Sequence, residues 1–214
     1  MNSKLILRRA AVAAAFLLVF AGTASAQGPQ LTPMVGWQWG GTLDFVSGDI
    51  HINSASSYGG ALSVPVRPGY NAEIVYTYQS AQVIARPNVG PEYDLFDLGT
   101  HYIQACGVRY VERPGSKIMP FVLGGLGATI FDPGNSTFGN FDTQWLFSMS
   151  AGGGIMVQTS DRVAIRAQAR FLLPVNWASG GVYFGSGGGG FTVSGGSAMP
   201  QGDATIGLTF TLGQ

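Results

Sequence analysis

The sequence predicts an all-β chain, an eight-stranded antiparallel up-and-down transmembrane β-barrel, on three observations. Charged residues are only 10% of the 214 residues, far below the ~25% usual in soluble domains. After the first 26 residues, no apolar run approaches the ~20 residues of a membrane helix. Hydrophobicity instead alternates with a period of two. From Ala204 to Leu212 every even position is apolar and every odd one is Thr or Gly, which puts two chemistries on the two faces of a strand. Only helices and closed barrels satisfy the backbone in lipid, so a chain poor in charge and lacking spanning helices points to a barrel.

The N-terminus reads as an export signal. Lys4, Arg8 and Arg9 precede an apolar run from Ala10 to Phe20, and Ala24-Ser25-Ala26 is a small-residue cleavage site. Cleavage before Gln27 divides the chain into a signal peptide, 1–26, and a barrel domain, 27–214. The only cysteine, Cys106, is far from that site, so no lipid-modified cysteine is expected, and one cysteine makes no internal disulfide. The signal removes three of the 11 Lys+Arg and none of the 11 Asp+Glu. The acidic remainder, with Lys117 its only lysine, argues against nucleic acid as a partner.

Eight strands are expected at about 31–40, 58–67, 70–79, 95–111, 118–131, 145–158, 162–174 and 203–213. Arg67-Pro68-Gly69, Arg113-Pro114-Gly115-Ser116 and Thr159-Ser160-Asp161 are short connections with turn chemistry. They alternate with four long ones: 41–57, 80–94, 132–144 and 175–202. Short turns at one end and long loops at the other are the layout of a membrane barrel with its turns in the periplasm. Trp39, Tyr58, Tyr78, Phe96, Phe131 and Trp145 fall at the loop ends of strands, and Tyr70 and Tyr110 at the turn ends. These are candidates for two interfacial aromatic belts.

The stretch from Gly152-Gly153-Gly154 through Asp161 to Arg166, Arg170 and Phe171 resembles a hairpin of the OmpA-like and OmpX-like outer-membrane β-barrel family. Pro120-Phe121-Val122-Leu123-Gly124-Gly125-Leu126-Gly127 is similar to that family's fifth strand, and Ile206-Gly207-Leu208-Thr209-Phe210 to its closing strand. The resemblance spans essentially the whole mature chain. It implies residence in the bacterial outer membrane among lipid and lipopolysaccharide, with insertion by the barrel-assembly machinery. Members often end in an aromatic residue. Here Gln214 stands last, with the alternation kept by Leu212, Phe210, Leu208 and Ile206.

Strand phase predicts which charges enter the lumen. With Ile74, Tyr76 and Tyr78 outside, Glu73 faces in. With Val108 and Tyr110 outside, Arg109, Asp97 and His101 face in, although Gln104 breaks that alternation. With Val163, Ile165 and Phe171 outside, Arg166, Gln168 and Arg170 face in. Buried charges must pair, and Glu73 with Arg109 is the expected neighbouring pair. Eight strands leave room for side chains alone, so the network is read as a structural plug.

Chemistry is thinly represented. The resemblance extends to barrels that deacylate lipid A with a His and a Ser two residues apart, but His51-Ile52-Asn53 and His101-Tyr102-Ile103 lack that serine. The run from Gly185 to Gly190 contains G-x-G-x-x-G outside any βαβ unit and is no dinucleotide site. No Cys/His spacing suggests a metal, and no cofactor is expected. The function expected is non-enzymatic: a monomeric barrel with a structural or surface-interaction role, presenting four extracellular loops to an unidentified ligand. The alternatives are a narrow pore for small solutes and, third, a lipid A acyl-modifying enzyme.

Overall fold

The computed structural model describes residues 28–39, 42–45, 48–87, 93–111, 115–133, 143–175, 183–184, 193–194 and 200–212. The expected signal peptide and its expected cleavage residues Ala24, Ala26 and Gln27 lie outside them. The strands are β1 (Gln30–Trp39), β2 (Thr42–Phe45), β3 (Gly48–Ile52), β4 (Ala55–Arg67), β5 (Tyr70–Pro87), β6 (Tyr93–Tyr110), β7 (Ile118–Pro133), β8 (Gln144–Gln158), β9 (Val163–Val175), β10 (Tyr183–Phe184), β11 (Val193–Ser194) and β12 (Gln201–Thr211).

Eight of these close a ring in the order β1-β4-β5-β6-β7-β8-β9-β12, every neighbour antiparallel, with β12 returning to β1. Closure leaves the barrel wall no free edge. The eight correspond to the eight expected strands. The short turns occur where their chemistry predicts. Gly69 and Gly115 hold φ of 72° and 76°, a region that glycine enters without a Cβ penalty. At the third turn the amides of Thr159 and Ser160 donate to the Val163 carbonyl, at 3.0 and 2.9 Å.

Three expected loops contain more strand than predicted, 175–202 through the two-residue strands β10 and β11, which pair with each other. β5 and β6 run on as a paired arm through 80–94, leaving only 88–92 between them. The connection 41–57 holds the hairpin β2–β3, which adds to the arm through β3 against Val83–Pro87. Ladder pairing continues there because β-branched residues Val83 and Ile84 replace turn residues.

The two faces of the wall are inverted relative to a soluble barrel. Leu31, Val35, Leu62, Ile74, Val122, Leu126, Ile155, Ile206 and Leu208 are all exposed on the outside. Thr32, Gln38, Ser63, Glu73, Gln104, Arg166, Asp203 and Thr209 are buried inside. An apolar girdle around a polar interior is the arrangement that lipid selects. On β12, whose alternation separates two chemistries, Ile206, Leu208 and Phe210 point out while Thr205 and Thr209 are buried.

The fourth barrel strand has the opposite phase to the one expected. Leu98, Thr100, Tyr102, Gln104, Cys106 and Val108 are buried, while Asp97, Ile103 and Arg109 are exposed. Gln104, which spoils an outward apolar face, marks the lumen side. Val108 and Tyr110, lower on the strand, misled the phase, because the turn end of the lumen holds an apolar cluster of Val108, Phe121, Leu123, Met156 and Ala164 with Tyr110 packed against it.

Candidate lumen site: two charge pairs bracing the barrel

Glu73 on β5 and Arg166 on β9 stand on opposite sides of the eight-strand ring. The odd phase of β5 and the even phase of β9 point both inward, and together they span the lumen. Arg166 Nη1 donates to Glu73 Oε2 at 2.6 Å and Nη2 to Oε1 at 2.9 Å. Both side chains are 1% exposed or less. This is the bidentate geometry that a planar guanidinium gives with a carboxylate. Ser63 Oγ donates to Glu73 Oε2 at 2.8 Å, and Arg166 Nε to Gln168 Oε1 at 2.9 Å. The guanidinium carbon lies 4.6 Å from the centroid of Phe121, so the cation rests on the apolar floor below it.

A second layer lies toward the loop end. Arg170 pairs with Asp203 on the neighbouring strand β12 through Oδ1 at 3.1 Å and through Oδ2. Its Nη2 reaches across the lumen to Thr77 Oγ1 on β5, at 3.0 Å. Tyr102 on β6 donates to Gln201 Oε1 on β12, again the opposite strand of the ring, at 2.6 Å. Gln38 Nε2 donates to the same oxygen at 2.6 Å. Among the described residues, three polar contacts therefore cross the full width of the barrel: Glu73–Arg166, Thr77–Arg170 and Tyr102–Gln201.

Among the residues expected in the interior network, Glu73, Arg166 and Arg170 are brought into it. Asp97, His101 and Arg109 are not, because β6 presents them to the outside. Glu73 is consequently paired with Arg166 and not with Arg109. His101 is half-buried on the outer face, its Nδ1 hydrogen-bonded to the Tyr76 hydroxyl at 2.9 Å and its ring 4.7 Å from that of Tyr78. Sequence reasoning missed Asp203, Tyr102, Gln201 and Gln38. Asp203 was within reach, since it extends the odd-position face of Thr205 and Thr209 by one step.

Of the belt aromatics, Trp39, Tyr58 and Trp145 are exposed on the outer face. Tyr78 packs beside Tyr58, and Tyr70 lies between Arg67 and Arg109. Two expectations are corrected. Phe131 is buried in the lumen phase of β7, and Tyr110 turns inward onto Phe121, with ring centroids 5.4 Å apart. Both follow from strand phase: an aromatic residue at a strand end reaches the lipid boundary only on the outward parity. The side chains of Phe96 and His51 lie outside the described residues. No group of three or more potential metal ligands occurs among the described residues.

No family model and no curated protein sequence matches the chain. The fold does match solved structures. Neisserial surface protein A is 10% identical, with a TM-score of 0.59 over 88% of this chain and 99% of that one. The outer membrane protein OprG from Pseudomonas aeruginosa is 10% identical, with a TM-score of 0.57 over 88% and 97%. The N-terminal β-barrel domain of Pseudomonas aeruginosa OprF is 13% identical, with a TM-score of 0.50 over 87% and 98%. The chain thus has the eight-stranded outer-membrane barrel fold that the OmpA-like and OmpX-like resemblance implied.

Proposed function

We propose that the protein is a non-enzymatic structural barrel of the bacterial outer membrane, which holds its loop-end segments and the β2–β3–β5–β6 arm outward as a surface for interaction. The observation that carries this reading is the cross-braced lumen, in which Glu73–Arg166 and Tyr102–Gln201 tie opposite walls together. A lumen filled by its own side chains supplies rigidity and no wide path. The chain reaches the membrane through a signal peptide cleaved after Ala26, and its Pro-Gly turns face the periplasm. Similarity of fold to a surface protein and to outer-membrane proteins of named bacteria supports the location.

The second reading is passage of ions or small solutes. It is favoured by buried lumen atoms that lack protein partners: both amide atoms of Gln104, Ser148 Oγ, Gln79 Nε2 and Arg170 Nη1. Such groups call for water. Planar-bilayer recording separates the two. The structural reading expects no steady single-channel current from the wild type, and a stable, large conductance would replace it with transport.

A further inference from the structure

A β-bulge between Pro65 and Arg67 shifts the end of β4 by one residue and brings Arg67 into register with Tyr70. Tyr70 is in turn the partner of Arg109. Residues directly opposite on antiparallel strands share a face, so Arg67, Tyr70 and Arg109 form one row on the outside of the barrel. Their side chains meet: the guanidinium carbon of Arg67 lies 3.8 Å from the Tyr70 ring centroid, and that of Arg109 lies 5.5 Å from it. Bulges commonly re-aim a side chain in this way. Without the bulge, Arg67 would have the opposite parity.

The row sits at a boundary. Above it on β5 the outward face is apolar, with Ile74 and Tyr76 exposed, and Val66 and Val111 are exposed beside it. The turns lie directly below. Neither arginine makes an ion pair with a carboxylate among the described residues; the two pairs found there belong to Arg166 and Arg170. Among the described residues, two like charges thus converge on one ring with no carboxylate paired to either. Guanidinium groups bind phosphate with two parallel hydrogen bonds, and at the edge of an apolar girdle the phosphate within reach is that of a lipid headgroup.

The wider charge pattern agrees. Among the described residues outside the lumen, the turn end carries four cations, Arg67, Arg109, Lys117 and Arg162, against Asp161. Among the described residues, the loop end carries Asp44, Asp49, Asp94, Asp97 and Asp132 against Arg86. The barrel is electrically polarised along its axis, with its positive end at the turns.

We propose that Arg67, Tyr70 and Arg109 form a binding site for the phosphate of an anionic glycerophospholipid in the leaflet at the turn end. The proposal rests on the membrane-barrel reading above. The test is native mass spectrometry of the mature barrel folded in zwitterionic micelles doped with phosphatidylglycerol, with heat-modifiable electrophoresis reporting the folded state. The wild type should retain phosphatidylglycerol after the micelle is stripped. R67Q/R109Q, or R109Q alone if the double variant does not fold, should retain it about tenfold less, the scale of a lost charge-assisted contact. R162Q, at the same end but outside the row, should behave as wild type. Equal retention by wild type and R67Q/R109Q would overturn the site, as would displacement of the lipid by inorganic phosphate. A chain that never folds in micelles would instead sink the membrane reading itself.

Discussion

Replacing Glu73 by alanine leaves the guanidinium of Arg166 buried over Phe121 with no counter-charge. The change removes hydrogen bonds of 2.6 and 2.9 Å from Arg166 and one of 2.8 Å from Ser63. Hydrogen bonds to charged groups are worth ~1.5–3 kcal/mol each, but part of that returns if water enters the vacated space. Breaking one side of a buried pair costs about 3–5 kcal/mol in other proteins, and both groups here are fully enclosed. A loss of about 4 kcal/mol is expected for E73A. With a urea dependence of about 2 kcal/mol/M, the midpoint falls by about 2 M. The assay is reversible urea unfolding of the barrel in lipid vesicles, followed by tryptophan fluorescence and electrophoretic mobility. E73A/R166M should be less destabilised than the sum of E73A and R166M, because no charge is stranded in the double variant. E73A combined with R109Q should be additive, since Arg109 is on the other face of the wall. Additivity of E73A with R166M within about 0.5 kcal/mol would refute the pairing.

Arginine at Leu208, which is exposed on the lipid side, should cost about 2–4 kcal/mol if that position is near the midplane, and a spin label there should report contact with lipid. A label that senses only interior side chains would reverse the inside and outside of the barrel. At Gly127 a Cβ would collide with the Ile103 backbone oxygen, so G127V should be destabilised by at least the ~1–3 kcal/mol of an overpacked core, measured by the same unfolding assay; wild-type stability would contradict the close approach of β6 and β7. For the orientation, a background lacking the buried Cys106 should be labelled on intact cells at a cysteine placed at Ser136 and spared at Ser116. The reverse labelling would turn the barrel over.

The class of the protein was legible in the sequence because it depends on local quantities. The two-residue period of β12, the Pro-Gly turns and the scarcity of charge each report on a single segment, and each agrees with a closed wall in lipid. The phase of β6 was not legible in the same way. Val108 and Tyr110 look like lipid-facing residues, yet they belong to the apolar floor of the lumen, and only Gln104 signalled the true parity. Apolar residues occur on both faces of a small barrel, so hydrophobicity alone cannot choose between them. Pairing was further from reach. Strand parity put Glu73, Arg166 and Arg170 inside, but which charge meets which depends on the order of strands around the ring. That order sets β5 opposite β9, 93 residues away in the chain. The arm of β5 and β6 with the β2–β3 hairpin is likewise a tertiary outcome, since the short β3 is held as a strand by its pairing with β5.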